Sequence, residues 1–596
     1  MAHKNRRSSI ALRFAAMMLL MWNLQLSAST VTWTGTGPNN NWTTVANWTC
    51  GGGACTGPMT TALSGADVIF PAGLVSSRLG PVDTISGLAL DSLTITGSEY
   101  TAFTLNAGSS LTISNAGANS TFDLTGNGST TVNTVTDNGS ILVTGGTLTN
   151  MSEIDVGNGG GALTLSGTAI LTNTGGVINN GLGSGIFTIG LTATVQNGTL
   201  EGVVTNNGTI TSTGANSVTF STAHVDGGVL AGTLTTTPTL NTFGATTAVT
   251  NTGTLSAGPG GIVNWMGGTN SGTLSSGGGL LNVSGTVTNA GGTINGGIGG
   301  ATVTGTVNGG TITGAITGTG GTFNNVLFTG ASLTNGTITG ASNTATGTNT
   351  FAGSITNSGT LAINSGVSTV TGTIAGSGTV DVSGGTLNIA SGGVIDAGGI
   401  LNETGGVVTL SGTLADATVN LLGGTFDGTG TLDGGDVTND IDLDVNGSTA
   451  AWGGSTATLG DYDLGSYTQE ALGTLSINFS ATSNDELIDG STTLDGALDL
   501  LNQDGTALTF GSLADTFYVL IADTGSAVSG TFDSLNVALP TGWTIAYNGA
   551  NTPGGDAGDV ELDFTTPGGT PEPSTDILLA GAIIGLALMR KKLVRR

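Results

Sequence analysis

Lysine and arginine are almost missing from the interior of this chain. Its 596 residues hold 10 of them, and Arg78 alone lies between Arg13 and Arg590. A body without cationic side chains cannot neutralise phosphates, which excludes nucleic-acid binding through a basic patch. Cysteine is equally scarce. Cys50 and Cys55 are the only two, and with His224 as the one histidine in the body they lack the partners for a zinc site. No Gly-X-Y period or run of prolines supports collagen, and a mean hydropathy of +0.25 is too apolar for ordinary disorder. Charged residues make up 8% of the chain, and none occurs between Asp226 and Asp381.

What is present is glycine, 107 residues of it, with Thr, Ser and Asn filling most polar positions. Frequent turn residues, many β-branched residues and few helix formers indicate an all-β body. The acids are uneven, since 24 of the 38 lie at or beyond Asp427. The body is therefore strongly acidic, repelling polyanions and attracting cations.

Both ends read as addresses. Lys4, Arg6, Arg7 and Arg13 precede or open the apolar stretch 14–26, and small residues follow at Ser27, Ala28 and Ser29. This predicts a secretory signal peptide over 1–29, cleaved after Ser29 or Ala28. Arg6-Arg7 invites a twin-arginine reading, but Ser8-Ser9 follow where that route wants apolar character. At the other end, Pro571-Glu572-Pro573 precedes the apolar segment 577–589 and the basic run RKKLVRR. As a helix that segment covers about 20 Å, short of the ~30 Å hydrocarbon core. It suits transient anchoring in the inner membrane, the basic tail staying cytoplasmic.

The order Pro-Glu-Pro, short apolar helix, basic tail closely resembles the PEP-CTERM sorting signal of exported bacterial proteins. The resemblance covers the last 26 residues. It implies an exosortase-type enzyme as partner, removal of the tail, and delivery to the cell surface or extracellular matrix of a Gram-negative-type bacterium that makes exopolysaccharide. Residues 566–596 are read as linker and sorting signal. Export would place Cys50 and Cys55 in an oxidising compartment, where the glycine loop between them permits a local disulfide.

Residues 30–87 are read as an N-terminal cap. Trp33, Trp42 and Trp48 cluster there, and TWTGTGPNNNWTTVANW leading into ADVIF resembles the opening of autotransporter-like β-helix proteins. Tryptophans suit a cap that blocks exposed strand edges, with sugar-ring binding as the alternative. From 88 to 444 short apolar doublets recur every eight to eleven residues early on, among them Leu93/Ile95, Phe103/Leu105, Leu111/Ile113, Phe122/Leu124, Ile141/Val143 and Leu163/Leu165. Phrases of the type Asn-X-Gly-Thr-apolar overlay them, with Gly253 and Gly272 taken as one coil apart and Gly208 and Gly253 as two. A degenerate unit of about 20–23 residues with two or three short strands predicts a right-handed parallel β-helix. Immunoglobulin-like sandwiches would need a buried tryptophan per unit, and Trp265 stands alone across the repeats. Propellers need longer, more aromatic repeats. Residues 445–565, richer in Tyr, Phe and acids, resemble the closing coils and cap of autotransporter-type passengers, with Phe517, Val519 and Ile521 expected on one face.

Catalytic chemistry finds little to work with. A lyase needs a base beside a cation, and the body offers Arg78 in the cap and His224 next to Asp226. A glycosidase can work with carboxylates alone. The candidates Asp427, Asp433, Asp436, Asp440, Asp442 and Asp444 partly alternate with apolar residues, as the wet face of a strand does. Asp442-Leu443-Asp444-Val445-Asn446-Gly447 matches the start of a calcium loop, but Gly453 stands where the bidentate glutamate belongs. Calcium at Asp442, Asp444 and Asn446 is thus a weak alternative to a solvated strand, and no other cofactor is expected. Thr-X-Thr tracts such as Thr302–Thr306 raise ice binding, against which no regular ladder is visible in the sequence. The reading is a non-enzymatic structural or adhesive β-helix protein, associated with exopolysaccharide; the alternative is a glycosidase or polysaccharide lyase on the same fold.

Overall fold

The computed structural model describes most of residues 29–71, 81–445 and 461–565, apart from shorter stretches within them; over much of 95–136 and 427–466 the backbone alone is described. The address segments 1–28 and 566–596, including Pro571, Glu572, Pro573 and the apolar segment 577–589, lie outside the described residues, as does Arg78. Among the described residues, no helix is long and apolar enough to cross a membrane.

The fold is a parallel β-solenoid. Strands of three or four residues dominate, because apolar and polar positions alternate and glycine or asparagine then turns the chain. Each strand pairs with the one a full coil later, so inward side chains stack on their own kind. The chain forms two compact units, 1–310 and 311–596.

In the first unit, three strands make a coil. One inward row runs Phe187, Val204, Val225, Phe243, Trp265, Val283 and Val303, in register from strand to strand. All are at most 1% exposed. Phe243 packs edge-on against Phe220 at 5.1 Å and stacks on Trp265 at 6.3 Å. Burying one such side chain is worth about 1.5–3 kcal/mol, so the core is strong through repetition. Buried asparagines bridge successive coils at one corner: Asn251 Nδ2 donates to Asn270 Oδ1 at 2.8 Å, and Asn270 Nδ2 to Asn289 Oδ1 at 2.6 Å. Close stacking also dictates Gly272. A Cβ there would lie 2.0 Å from the carbonyl oxygen of Gly253.

Gly253 and Gly272 do belong to neighbouring coils, since Leu255 pairs with Leu274. Gly208 and Gly253 do not share a face. Ile210 stacks on Leu230 and then Asn251, whereas Leu255 stacks on Leu234. The two phrases are alike because every face of the coil uses the same turn-then-strand pattern.

Both ends are closed by antiparallel pairing. Thr30–Trp33 pairs parallel with Asp67–Phe70 and antiparallel with Trp48–Cys50, so the ladder already begins inside the segment read as cap. Trp33, Trp42, Trp48 and Phe70 are at most 2% exposed. Trp33 packs edge-on against Trp48 at 4.9 Å, and Trp42 lies 5.3 Å from Phe70. These indoles close the core and leave no ring face for a sugar. Cys50 and Cys55 are joined in a disulfide, their Cα atoms 5.0 Å apart.

In the second unit, ladders of the same kind run from Thr322–Asn324 through Thr373–Ala375 and Thr413–Ala415 to Phe517–Asp523. That last strand then takes Asp559–Phe564 antiparallel, which in turn pairs with Trp543–Gly549. Here the expected face is corrected. Tyr518 and Leu520 point inward, 3% and 0% exposed, while Phe517 and Val519 are only half-buried. Tyr518 packs on Phe479 at 5.4 Å and its hydroxyl donates to the Ala481 carbonyl. A register break between Val519 and Ile521 then brings Ile521 inward as well.

Candidate functional site

His224 and Asp226 lie two apart on Val218–Asp226 and so share a face, with His224 Nε2 3.1 Å from Asp226 Oδ2. Asp226 also accepts the backbone N–H of Thr246 at 2.9 Å and its hydroxyl at 2.7 Å. Partial burial works against ionisation, yet these bonds and the neighbouring His224 hold its carboxyl below the usual range. Asp226 is thereby committed to holding a loop.

The other sequence candidates come together less. Asp427, Asp433, Asp436, Asp442 and Asp444 sit on described strands, at Thr418–Gly428, Thr431–Asp433, Asp436–Asn439 and Asp442–Val445, whose acidic side chains are not described. Asp440, Asn446 and Gly453 lie outside the described residues. Among the described residues, no group of three or more His, Cys, Asp or Glu side chains is gathered as metal ligands.

Sequence reading singled out none of the buried acids, which among the described residues include Asp83, Asp137, Glu403 and Glu561. Asp83 and Asp137 are both 0% exposed. Burial raises the Asp83 carboxyl to about 6, against a bond from the Ile85 N–H at 2.8 Å. Burial likewise raises Asp137 to about 7, against a bond from the Gly139 N–H at 3.0 Å. At the far end, the exposed Asp533 carboxyl is raised by a hydrogen bond with Asp495 and by its negative charge.

A surface groove of about 320 Å³ lies in the first unit. Segments 174–176, 197–199 and 215–217, with Thr219, line it, and none of these residues is charged. Asn197 builds one wall. It adopts the left-handed conformation, φ 62°, and its side chain is 2% exposed. Its amide donates to the hydroxyls of Thr174 at 3.1 Å and Thr213 at 2.9 Å, and its oxygen accepts the Thr213 N–H. That network fixes the corner and leaves Gly175 and Gly198, both at positive φ, as a bare floor.

Out of this groove runs an outward row of polar side chains. Thr199 pairs with Thr219, Thr219 with Thr235, Thr235 with Ser256, Ser256 with Ser275, and Ser275 with Asn295. Two residues earlier on the same strands, Thr233, Thr254, Thr273 and Thr293 form a second row. Coils at about 4.8 Å and alternate residues at about 6.6 Å make this a regular two-row array. Sequence reading missed it because the coils differ in length: Thr219 to Thr235 is 16 residues and Thr235 to Ser256 is 21.

No protein-family model matches the chain, and no curated protein matches it.

Proposed function

We propose that this protein is an exported, non-enzymatic structural or adhesive component of a bacterial cell surface or extracellular matrix, sorted by an exosortase-type enzyme and associated with exopolysaccharide. The observation that carries the reading is the uncharged exterior of the solenoid between Asp226 and Asp381, where outward positions are held in register and filled mainly by Thr, Ser and Asn. A surface of this kind stays hydrated, resists polyanions and offers neutral hydrogen-bonding groups along its length. The ends support it: an N-terminal export signal, and a Pro571-Glu572-Pro573 ending suited to membrane hold and release.

The expected outcome is exported protein lacking Leu593–Arg596 by mass spectrometry and recovered from the surface or matrix fraction. Replacing Pro571, Glu572 and Pro573 with alanine should leave an uncleaved, membrane-retained precursor. Wild-type exported protein that keeps Leu593–Arg596 contradicts the sorting reading. Turnover of a polysaccharide, abolished by an Asp substitution, would instead establish the enzyme alternative.

A further inference from the structure

We infer that the groove and the row leading from it form a binding track for an extended, neutral polysaccharide. This deepens the proposed association with exopolysaccharide by naming its site and ligand class. The groove has the volume of a small-molecule site, and its walls are fixed by the buried Asn197 network. Its free groups are the side chains of Thr199, Asn216, Ser217 and Thr219, which have no hydrogen-bond partner among the described residues. All four both donate and accept, as sugar hydroxyls do. A linear ligand is indicated because Thr219, Thr235 and Ser256 repeat that chemistry on successive coils, over about 20–25 Å to Asn295.

The charge pattern selects among ligands. The groove and track contain no Lys or Arg to pair with uronates or sulfates, and Glu201 stands on the outer face two residues from Thr199. Polyanions are therefore disfavoured. A protein partner is disfavoured too, because from Thr199 to Asn295 the row carries no aromatic or aliphatic side chain to act as a buried anchor. The same absence makes each sugar contact weak, so affinity should grow with chain length as successive coils engage.

The test uses the full chain and a panel of soluble neutral glucans, mannans and galactans, with alginate as the anionic comparison. Neutral chains should be retained, longer ones more tightly, and alginate should not. A Thr219→Val/Thr235→Val variant keeps strand shape while deleting two hydroxyls, and Asn216→Ala trims the groove. Each should weaken binding by about tenfold, given the cost of unmade hydrogen bonds. Thr250→Val/Thr269→Val, on another face of the same coils, should change it less than about twofold. Circular dichroism and thermal melting confirm that each variant is folded. Retention unaltered by the groove and track variants overturns the inference, while sorting and matrix association would still stand. Retention of alginate alone, no retention of any neutral chain, or ice-growth inhibition without glycan binding overturns it equally.

Discussion

Deleting residues 30–70 should make the protein aggregate. The deletion removes Thr30–Trp33 and Asp67–Phe70, and with them the antiparallel pairing to Trp48–Cys50 that closes the first ladder. Ser92–Thr96 would then present an unpaired parallel edge over an open core, a template for a second chain. A milder version is Trp33→Ala. Trp33 is 0% exposed and touches Trp48 and Phe70, so its loss should cost about 3–5 kcal/mol. The effect should concentrate at this end, because each coil touches only its neighbours. Hydrogen exchange of the Trp33→Ala variant should show early loss of protection around Asp67–Phe70 with the distant coils little changed. A fully soluble deletion variant, or a Trp33→Ala variant with unaltered protection, would mean that the tryptophans are not closing the stack.

Stability should also rise as the pH falls from about 7 towards about 4. Asp83 and Asp137 carry folded-state values of about 6 and about 7, both above the ordinary 3.8. Their raised values mean that the folded chain holds protons the unfolded chain has already lost. Folding is therefore penalised above the folded values, and the penalty vanishes as both groups protonate in each state. At about 1.4 kcal/mol for each tenfold change in proton affinity, the two sites together amount to several kcal/mol. The strongly acidic body adds a diffuse trend of the same sign, while Asp226, held low, opposes it. An Asp83→Asn/Asp137→Asn variant separates these effects. Urea denaturation at pH 8 should find the variant more stable than the parent, and the difference should shrink at pH 5. A parent that gains stability from pH 5 to pH 8, with a variant that follows it, would contradict the burial argument.

The solenoid was legible because its core obeys a local rule. Ile141/Val143 and Leu163/Leu165 announce strands on their own, and the structure pairs them directly. What the sequence hid was which strands pair. A coil in this chain closes after 16 residues from Thr219 to Thr235 but after 21 from Thr235 to Ser256. Insertions at corners leave the core unaffected, so spacing drifts while register persists. That is why the 45 residues from Gly208 to Gly253, about two coils, did not reveal that the two phrases lie on different ladders, and why the Thr-X-Thr array went unseen. The buried acids were hidden for a related reason. Asp83 follows Pro81-Val82 and Asp137 follows Thr134-Val135-Thr136, contexts that do not mark an acid for burial, and both are buried in the ladder where each pairs with Leu105. Tyr518 illustrates a further limit. Alternation located the strand, but the antiparallel closing strand and its register break decide which side faces the core.

Everything proposed about the track depends on the register that aligns Thr235 with Ser256 and separates the Gly208 phrase from the Gly253 phrase. Cysteine cross-linking reads that register in the full chain. Adjacent parallel strands place Cα atoms about 4.8 Å apart, within reach of a disulfide. Thr235→Cys/Ser256→Cys should therefore cross-link under mild oxidation, detected by mass spectrometry beside the Cys50–Cys55 bridge. Thr209→Cys/Thr254→Cys, whose positions lie on different ladders, should remain reduced. Cross-linking of the second pair with none in the first would contradict the register and the track with it.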